Sequence, residues 1–101
     1  MTYLVRLEQD ALDQLAGIED YIAELADPRT AASYAGQILA TCHNLATFPH
    51  RCRARDDIRP GLRITGFRRR VTIAFTVDDS ARLVSIVGVF FGGQDWESRL
   101  T

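Results

Sequence analysis

Lysine is absent from this chain of 101 residues, and all 12 basic side chains are arginine. Arginine stays protonated at any physiological pH, so one common class of proton-transfer residue is missing. Cysteine is scarce as well: Cys42 and Cys52 are the only two. Small secreted domains of this size usually carry four or more, so reduced thiols in a cytoplasm are expected rather than a disulfide scaffold. No stretch reaches the roughly 18 apolar residues of a membrane helix, and the start of the chain lacks the apolar run of a signal peptide. The P-loop, dinucleotide-fingerprint, HExxH zinc and nucleophile-elbow patterns are all missing. There is no internal repeat, low-complexity run or interdomain linker. With 47% hydrophobic and 25% charged residues, the composition is that of one small globular domain spanning 1–101, in a cytoplasmic protein with no membrane partner.

What is present is polarised. The formal net charge is −1, but residues 1–50 hold seven acids against Arg6 and Arg29, while residues 51–101 hold ten arginines against six acids. The near-neutral total is therefore a cancellation, and an acidic partner is compatible with it. The densest stretch is 51–70, where Arg51, Arg53, Arg55, Arg59, Arg63, Arg68, Arg69 and Arg70 face only Asp56 and Asp57. A planar guanidinium binds phosphate or carboxylate through two hydrogen bonds, so such a cluster reads as an anion-binding surface. A compositional preference for arginine explains the missing lysines; it does not explain why ten of twelve arginines lie in the second half.

Hydrophobic periodicity divides the chain in the same place. Residues 3–7 read as an opening strand. Asp10, with Asp13 three positions on, reads as a helix N-cap, and Leu12, Leu15, Ile18, Ile22 and Leu25 form one helical stripe. Asp27 and Pro28 open a second helix, with Pro28 where its missing N–H costs nothing. Its stripe is Ala31, Tyr34, Ala35, Ile38, Cys42 and Leu45, and Phe48-Pro49 closes it. A polar loop follows from His50 to Asp57, then strand-like runs at 62–67, 69–77 and 82–91, the last two joined by a turn at 78–81. Gly92-Gly93 ends the last run, and residues 94–101 form a polar tail carrying Trp96. The expected fold is α+β in the order β-α-α-β-β-β, an antiparallel sheet with a helical hairpin packed on one face. Alternation puts Arg63, Thr65, Arg70 and Thr72 on the other, open face.

Candidate chemistry is sparse. Cys42, His43, His50 and Cys52 lie close in sequence but lack zinc-ligand spacing, and Cys42 falls on the core stripe; no metal or cofactor is expected. Glu19-Asp20 lies on an exposed helix face, Asp78-Asp79 fits a turn, and Asp56-Asp57 is placed to pair with arginines. Neither histidine has a nucleophile and orienting carboxylate beside it in sequence. Trp96 reads as a cap on the core or as an anchor for a partner.

Five segments resemble the RelE/ParE superfamily of bacterial type II toxins. They are Ala11-Leu12-Asp13-Gln14-Leu15, Ile18-Glu19-Asp20-Tyr21-Ile22, Leu45-Ala46-Thr47-Phe48-Pro49, Ile58-Arg59-Pro60-Gly61-Leu62-Arg63, and the run from Val87 to Asp95. The resemblance implies a toxin held inactive by a cognate antitoxin whose acidic, disordered C-terminal segment folds on binding. RelE-like members cut mRNA on the ribosome; ParE-like members poison DNA gyrase by binding it. Phe90, Phe91 and Gly92 stand where nucleolytic relatives tend to place His or Tyr, and phenylalanine moves no proton. The resemblance therefore favours a ParE-like gyrase inhibitor with no catalytic residues, and a RelE-like endoribonuclease is the alternative. Arg59, Arg63, Arg68, Arg69, Arg70 and Trp96 are the expected antitoxin- or target-binding residues.

Overall fold

The opening strand, β1 (Leu4–Leu7), turns Val5 and Leu7 toward the core and leaves Leu4 exposed. The computed structural model describes residues 2–93 and 95–100. Two helices follow, α1 (Gln9–Leu25) and α2 (Pro28–His43). Then come two 3-10 turns, Asn44–Ala46 and Pro49–Arg51, and four strands: β2 (Arg53–Ala54), β3 (Leu62–Phe67), β4 (Val71–Asp78) and β5 (Leu83–Phe91). A short helix, α3 (Trp96–Leu100), lies beyond them.

The strands form one sheet in the order β1-β5-β4-β3-β2. It is mixed rather than antiparallel, because β1 runs parallel to β5. The reason is the helical hairpin. It carries the chain back to where it began, so that Tyr3 N–H donates to the Ala46 carbonyl at 2.8 Å. From there β3, β4 and β5 run up, down and up, and β5 ends in the direction of β1. The expected inner position of the last strand holds, since β5 lies between β1 and β4.

Helix boundaries follow the local chemistry with two corrections. The first is that α2 ends at His43, and Leu45 lies in the tighter 3-10 turn before Phe48-Pro49. Asp27 caps α2 as expected: its Oδ1 accepts from Thr30 N–H at 2.8 Å, with Pro28 at the first position. In α1 the cap is Glu8, whose backbone is extended, and Asp10 lies inside the first turn, where a negative charge meets the positive end of the helix dipole. The inward line of α1 is Ala11, Leu15, Ile18 and Ile22. Leu12 and Leu25 of the expected stripe are exposed, Leu25 by 68%. Ala11 carries the contact that Leu12 was expected to make, because residues one apart on a helix point about 100° apart.

The main core lies between the helical hairpin and the sheet, with Ile38, Cys42, Leu45, Ile73, Phe75, Val84 and Ile86 fully enclosed. Burial of each large side chain stabilises the fold by roughly 1.5–3 kcal/mol. A second, smaller cluster covers part of the opposite face: Leu62, Ala74, Val87, Phe90 and Leu100, with Ile58, Ile64 and Trp96 against it. The tail thus folds back as a helix and a cap. A bulge at the Ala74/Phe75 register shift places one extra residue, Val87, in β5. Both Val87 and Phe90 then face the second cluster, and Val89 faces the first.

Candidate functional site

The predicted binding residues do not form one surface, and the β3 register decides where each goes. Leu62 and Ile64 face the second cluster and Phe67 the main core. Arg63 and Thr65 therefore turn to the helical side, not to the open face. Arg63 Nη1 donates to the carbonyls of Cys52 at 2.7 Å and His50 at 3.1 Å, fastening the segment before β2 to β3. Arg70 also leaves the expected face: it precedes β4 and lines a shallow groove with Ile22, Tyr34, Arg68 and Phe91. Of the four residues expected on the open face, Thr72 is on it, beside Ala74 of the second cluster.

Arg68, Arg69 and Arg70 make the β3–β4 connection. Arg68 and Arg69 both have positive φ, 50° and 60°, and Arg70 N–H donates back to the Phe67 carbonyl at 3.1 Å. Two left-handed residues inside an i to i+3 hydrogen bond describe a type I′ turn, a shape that favours Asn-Gly and matches strand twist. Arginine holds that shape at a conformational cost. Arg68 is braced by Gln37 Oε1 of α2 at 2.5 Å and lies 5.3 Å over the Phe67 ring. Arg69 and Arg70 are exposed. Three arginines thus share one turn, with Arg68 over the Phe67 ring and Arg68 and Arg70 bordering the Tyr34 and Phe91 rings.

Arg59 and Trp96 lie elsewhere, on the side of the second cluster. Trp96 stacks on Phe90 with centroids 6.2 Å apart and planes 25° apart, and the Arg55 guanidinium sits 5.6 Å over the indole. Arg55 grips Asp57 with two hydrogen bonds of 3.0 and 2.9 Å and reaches Glu97 of α3 at 2.9 Å. These bonds hold the Asp57 carboxyl below the ordinary carboxylate range. The expected pairing of Asp57 with an arginine is met; Asp56 instead accepts the Gly61 N–H at 2.8 Å. Arg59 is exposed at the tip of this loop.

Sequence reasoning missed two features. The first is an open sheet edge. β1 pairs with β5 only from Leu83 to Ile86, so the rest of β5 has no strand on that side among the described residues. Gln14 of α1 caps it there, its Oε1 accepting Val89 N–H at 2.7 Å. Beside this edge runs an apolar groove of about 400 Å³ lined by Gly17, Ile18, Tyr21, Val89, Phe91 and Arg99.

The second is a carboxylate beside a histidine. His50 Nε2 lies 2.8 Å from Asp79 Oδ1, the atom that also accepts from the Tyr3 hydroxyl at 2.5 Å. The bond to His50, then that to Tyr3, keeps the Asp79 carboxyl below its usual range, and the same carboxylate pushes the Tyr3 phenol up. These partners are 29 and 76 residues apart in sequence, so no local motif announces them.

Among the described residues no three His, Cys, Asp or Glu side chains gather where a metal ion would sit, and no helix is long and apolar enough to cross a membrane. Cys42 is enclosed in the main core, where burial pushes its thiol up to about 11.

The family model described as ParE toxin of type II toxin-antitoxin system, parDE, matches residues 5–96. Among curated proteins, none matches the chain. The fold is similar to that of a chain in the chromosomal ParDE toxin–antitoxin system from P. aeruginosa (TM-score 0.77, 18% identity, 90% of this chain and 97% of that one). It is also similar to a chain of the toxin-antitoxin complex RelBE2 from Mycobacterium tuberculosis (TM-score 0.60, 20% identity, 93% and 95%). A third likeness is to an arginine-to-alanine double mutant of the E. coli toxin RelE in the free state (TM-score 0.71, 13% identity, 99% and 94%).

Proposed function

Since the chain belongs to the ParE toxin family of type II toxin–antitoxin systems, we propose that it inhibits DNA gyrase by binding and is neutralised by a cognate antitoxin. The observation that carries this reading is the family match, which spans nearly the whole chain. The arginine tip supports it. Guanidinium groups bind anions well but exchange no proton at neutral pH. Phe90, at the position where nucleolytic relatives are expected to carry a proton-transfer residue, is enclosed beneath Trp96.

The antitoxin segment meets two complementary features on this reading. Its acidic side chains pair with Arg69 and Arg70. Its apolar side chains fill the groove between α1 and the open β5 edge, where an added strand gains main-chain hydrogen bonds. The exposed Tyr21 and Leu25 continue that surface along α1.

A supercoiling assay tests the target. Purified toxin is expected to block supercoiling by gyrase or to trap cleaved DNA, and preformed toxin–antitoxin complex to do neither. Intact supercoiling at toxin excess overturns the gyrase reading. The second reading, ribosome-dependent mRNA cleavage, draws on the same arginine tip, because three adjacent guanidinium groups suit an RNA backbone. Cleavage of mRNA within translating ribosomes would select it.

A further inference from the structure

The far end of β4 from the arginine turn carries a cleft that neither the tip nor the β5 groove uses. Phe48 stands there at φ 48° and ψ 56° and is 77% exposed. Residues with a side chain avoid this left-handed region, and the residue before a proline is driven toward extended backbone. Phe48 meets both objections, because it precedes Pro49. Two neighbours hold it in place: Pro49 is buried, and Arg51 Nη1 donates to the carbonyls of Thr47 and Phe48. A large apolar ring kept in a rare conformation and left in solvent points to contact with a ligand.

The surroundings specify the ligand. Tyr3, Pro49, His50, Arg51 and Arg82 line the rest of the cleft, whose volume is about 700 Å³. The Tyr3 and His50 rings meet edge to face at 6.4 Å and 78°. Asp79 fixes both through one carboxylate oxygen, and the Arg82 guanidinium lies 5.1 Å over the Tyr3 ring. The lining thus combines flat aromatic faces with two guanidinium groups and an imidazole, on side chains already braced. A flat ring bearing an anionic group answers both parts. A single carboxylate side chain would meet the charges and leave the Phe48 face uncovered, so a peptide needs two side chains to do what one nucleotide does.

We propose that the cleft binds a nucleotide unit, with its base stacked on Phe48 and its phosphate held at Arg51 and Arg82. Base stacking on an exposed aromatic ring is tolerant of sequence, and guanidinium groups supply the phosphate contact. The same chemistry is offered by a free mononucleotide and by one residue of a single strand. The site is independent of the gyrase reading, since it makes no use of the arginine tip.

Calorimetric titration of the whole chain with AMP, and with a short oligothymidylate of about eight residues, tests the assignment. Saturable AMP binding is expected, with adenosine and ribose 5-phosphate each at least about fivefold weaker because each offers half of the contact. Tighter binding of the oligonucleotide than of AMP identifies a strand as the source; the reverse order identifies a free nucleotide. The variant Phe48→Asn removes the ring while tolerating left-handed backbone. It should weaken binding roughly 5- to 100-fold and leave the melting temperature unchanged or raised. Absence of saturable binding to either probe, or equal binding by Phe48→Asn, overturns the proposal. A loss of antitoxin or gyrase binding in Phe48→Asn without nucleotide binding by the parent chain also overturns it, and makes the cleft a protein-docking surface.

Discussion

The ring of Phe90 lies over the α-carbon of Gly88, two residues before it in the same strand. A methyl group on Gly88 would fall 2.4 Å from Phe90 Cε2 and 2.5 Å from Cζ. Strand alternation puts Gly88 and Phe90 on the same face of the sheet, and the bulge at Val87 decides that this is the face of the second cluster.

Gly88→Ala is therefore expected to push out a buried ring, and with it Trp96, which stacks on that ring. Overpacking of this kind costs roughly 1–3 kcal/mol. Trp96 is the only tryptophan in the sequence, so its fluorescence reports displacement of α3 directly. A lowered melting temperature together with a shifted emission maximum is the expected pair of readings. Wild-type values for both would mean that Phe90 does not cover Gly88 in solution.

Some of this arrangement was legible in the sequence. The helical hairpin was, because Asp27 and Pro28 carry their capping chemistry locally and the apolar spacing of α2 is regular. Ala11 was not, since alanine gives little hydropathy signal whether it faces the core or solvent. β2 is two residues long and exists only by pairing with Ile64 and Arg63, so nothing within Arg53 and Ala54 marks it. The direction of β1 was set by a partner strand at the other end of the chain. The face assigned to Arg63 depended on register, and a one-residue shift inverts every side chain of a strand. The His50, Asp79 and Tyr3 cluster was invisible for the same reason: it is assembled by the fold from three separate segments.

The groove beside β5 offers a clean test of antitoxin docking. A Cβ built on Gly17 meets nothing within 4 Å, so a long side chain is accommodated there without disturbing the core. Gly17→Arg should raise helix stability by about 0.5–1 kcal/mol, the usual gain on replacing an exposed helical glycine. The same guanidinium fills the groove and should weaken antitoxin binding at least about tenfold, the effect of losing about 1.4 kcal/mol of contact. Surface-coupled binding measurements and a thermal melt separate the two effects. Undiminished antitoxin affinity in a well-folded Gly17→Arg protein would show that the segment docks elsewhere.

Acid should destabilise the fold through three carboxylates. Asp27 is held below its usual range by the Thr30 N–H and hydroxyl, Asp57 by Arg55, and Asp79 by His50 and then Tyr3. A carboxyl whose folded value is depressed stabilises the native state above the unfolded value, and that contribution is lost as pH falls through the folded value. Stability should thus be level near neutrality and decline below about pH 4, the ordinary carboxylate range. Asp27→Asn keeps an effective N-cap but does not titrate. It should leave the neutral-pH melting temperature nearly unchanged and make the acid decline shallower, as followed by circular dichroism. An acid profile identical to that of the parent chain would mean that the Asp27 cap is not coupled to folding.

On the proposed gyrase reading, the arginine turn sets stability against function. Arg68 and Arg69 hold positive φ values that asparagine and glycine adopt with less strain. The double variant Arg68→Asn, Arg69→Gly keeps the type I′ shape and gives up the Gln37 hydrogen bond and the stacking of Arg68 on Phe67. Relief of two left-handed arginines, at about 1–2 kcal/mol each, outweighs an exposed hydrogen bond and a surface cation–π contact, each about 0.5–1 kcal/mol. The net expectation is a stabilisation of about 1 kcal/mol, or roughly 4–8 °C in melting temperature for a domain of this size. If the tip is the anion-binding surface, the stabilised variant should lose most of its gyrase inhibition and bind the antitoxin with a flatter salt dependence. A variant that melts higher and still inhibits gyrase as well as the parent would show that the strain at Arg68 and Arg69 serves something other than target binding. A variant that melts lower would place the larger share of the turn's stability in the Arg68 contacts with Gln37 and Phe67.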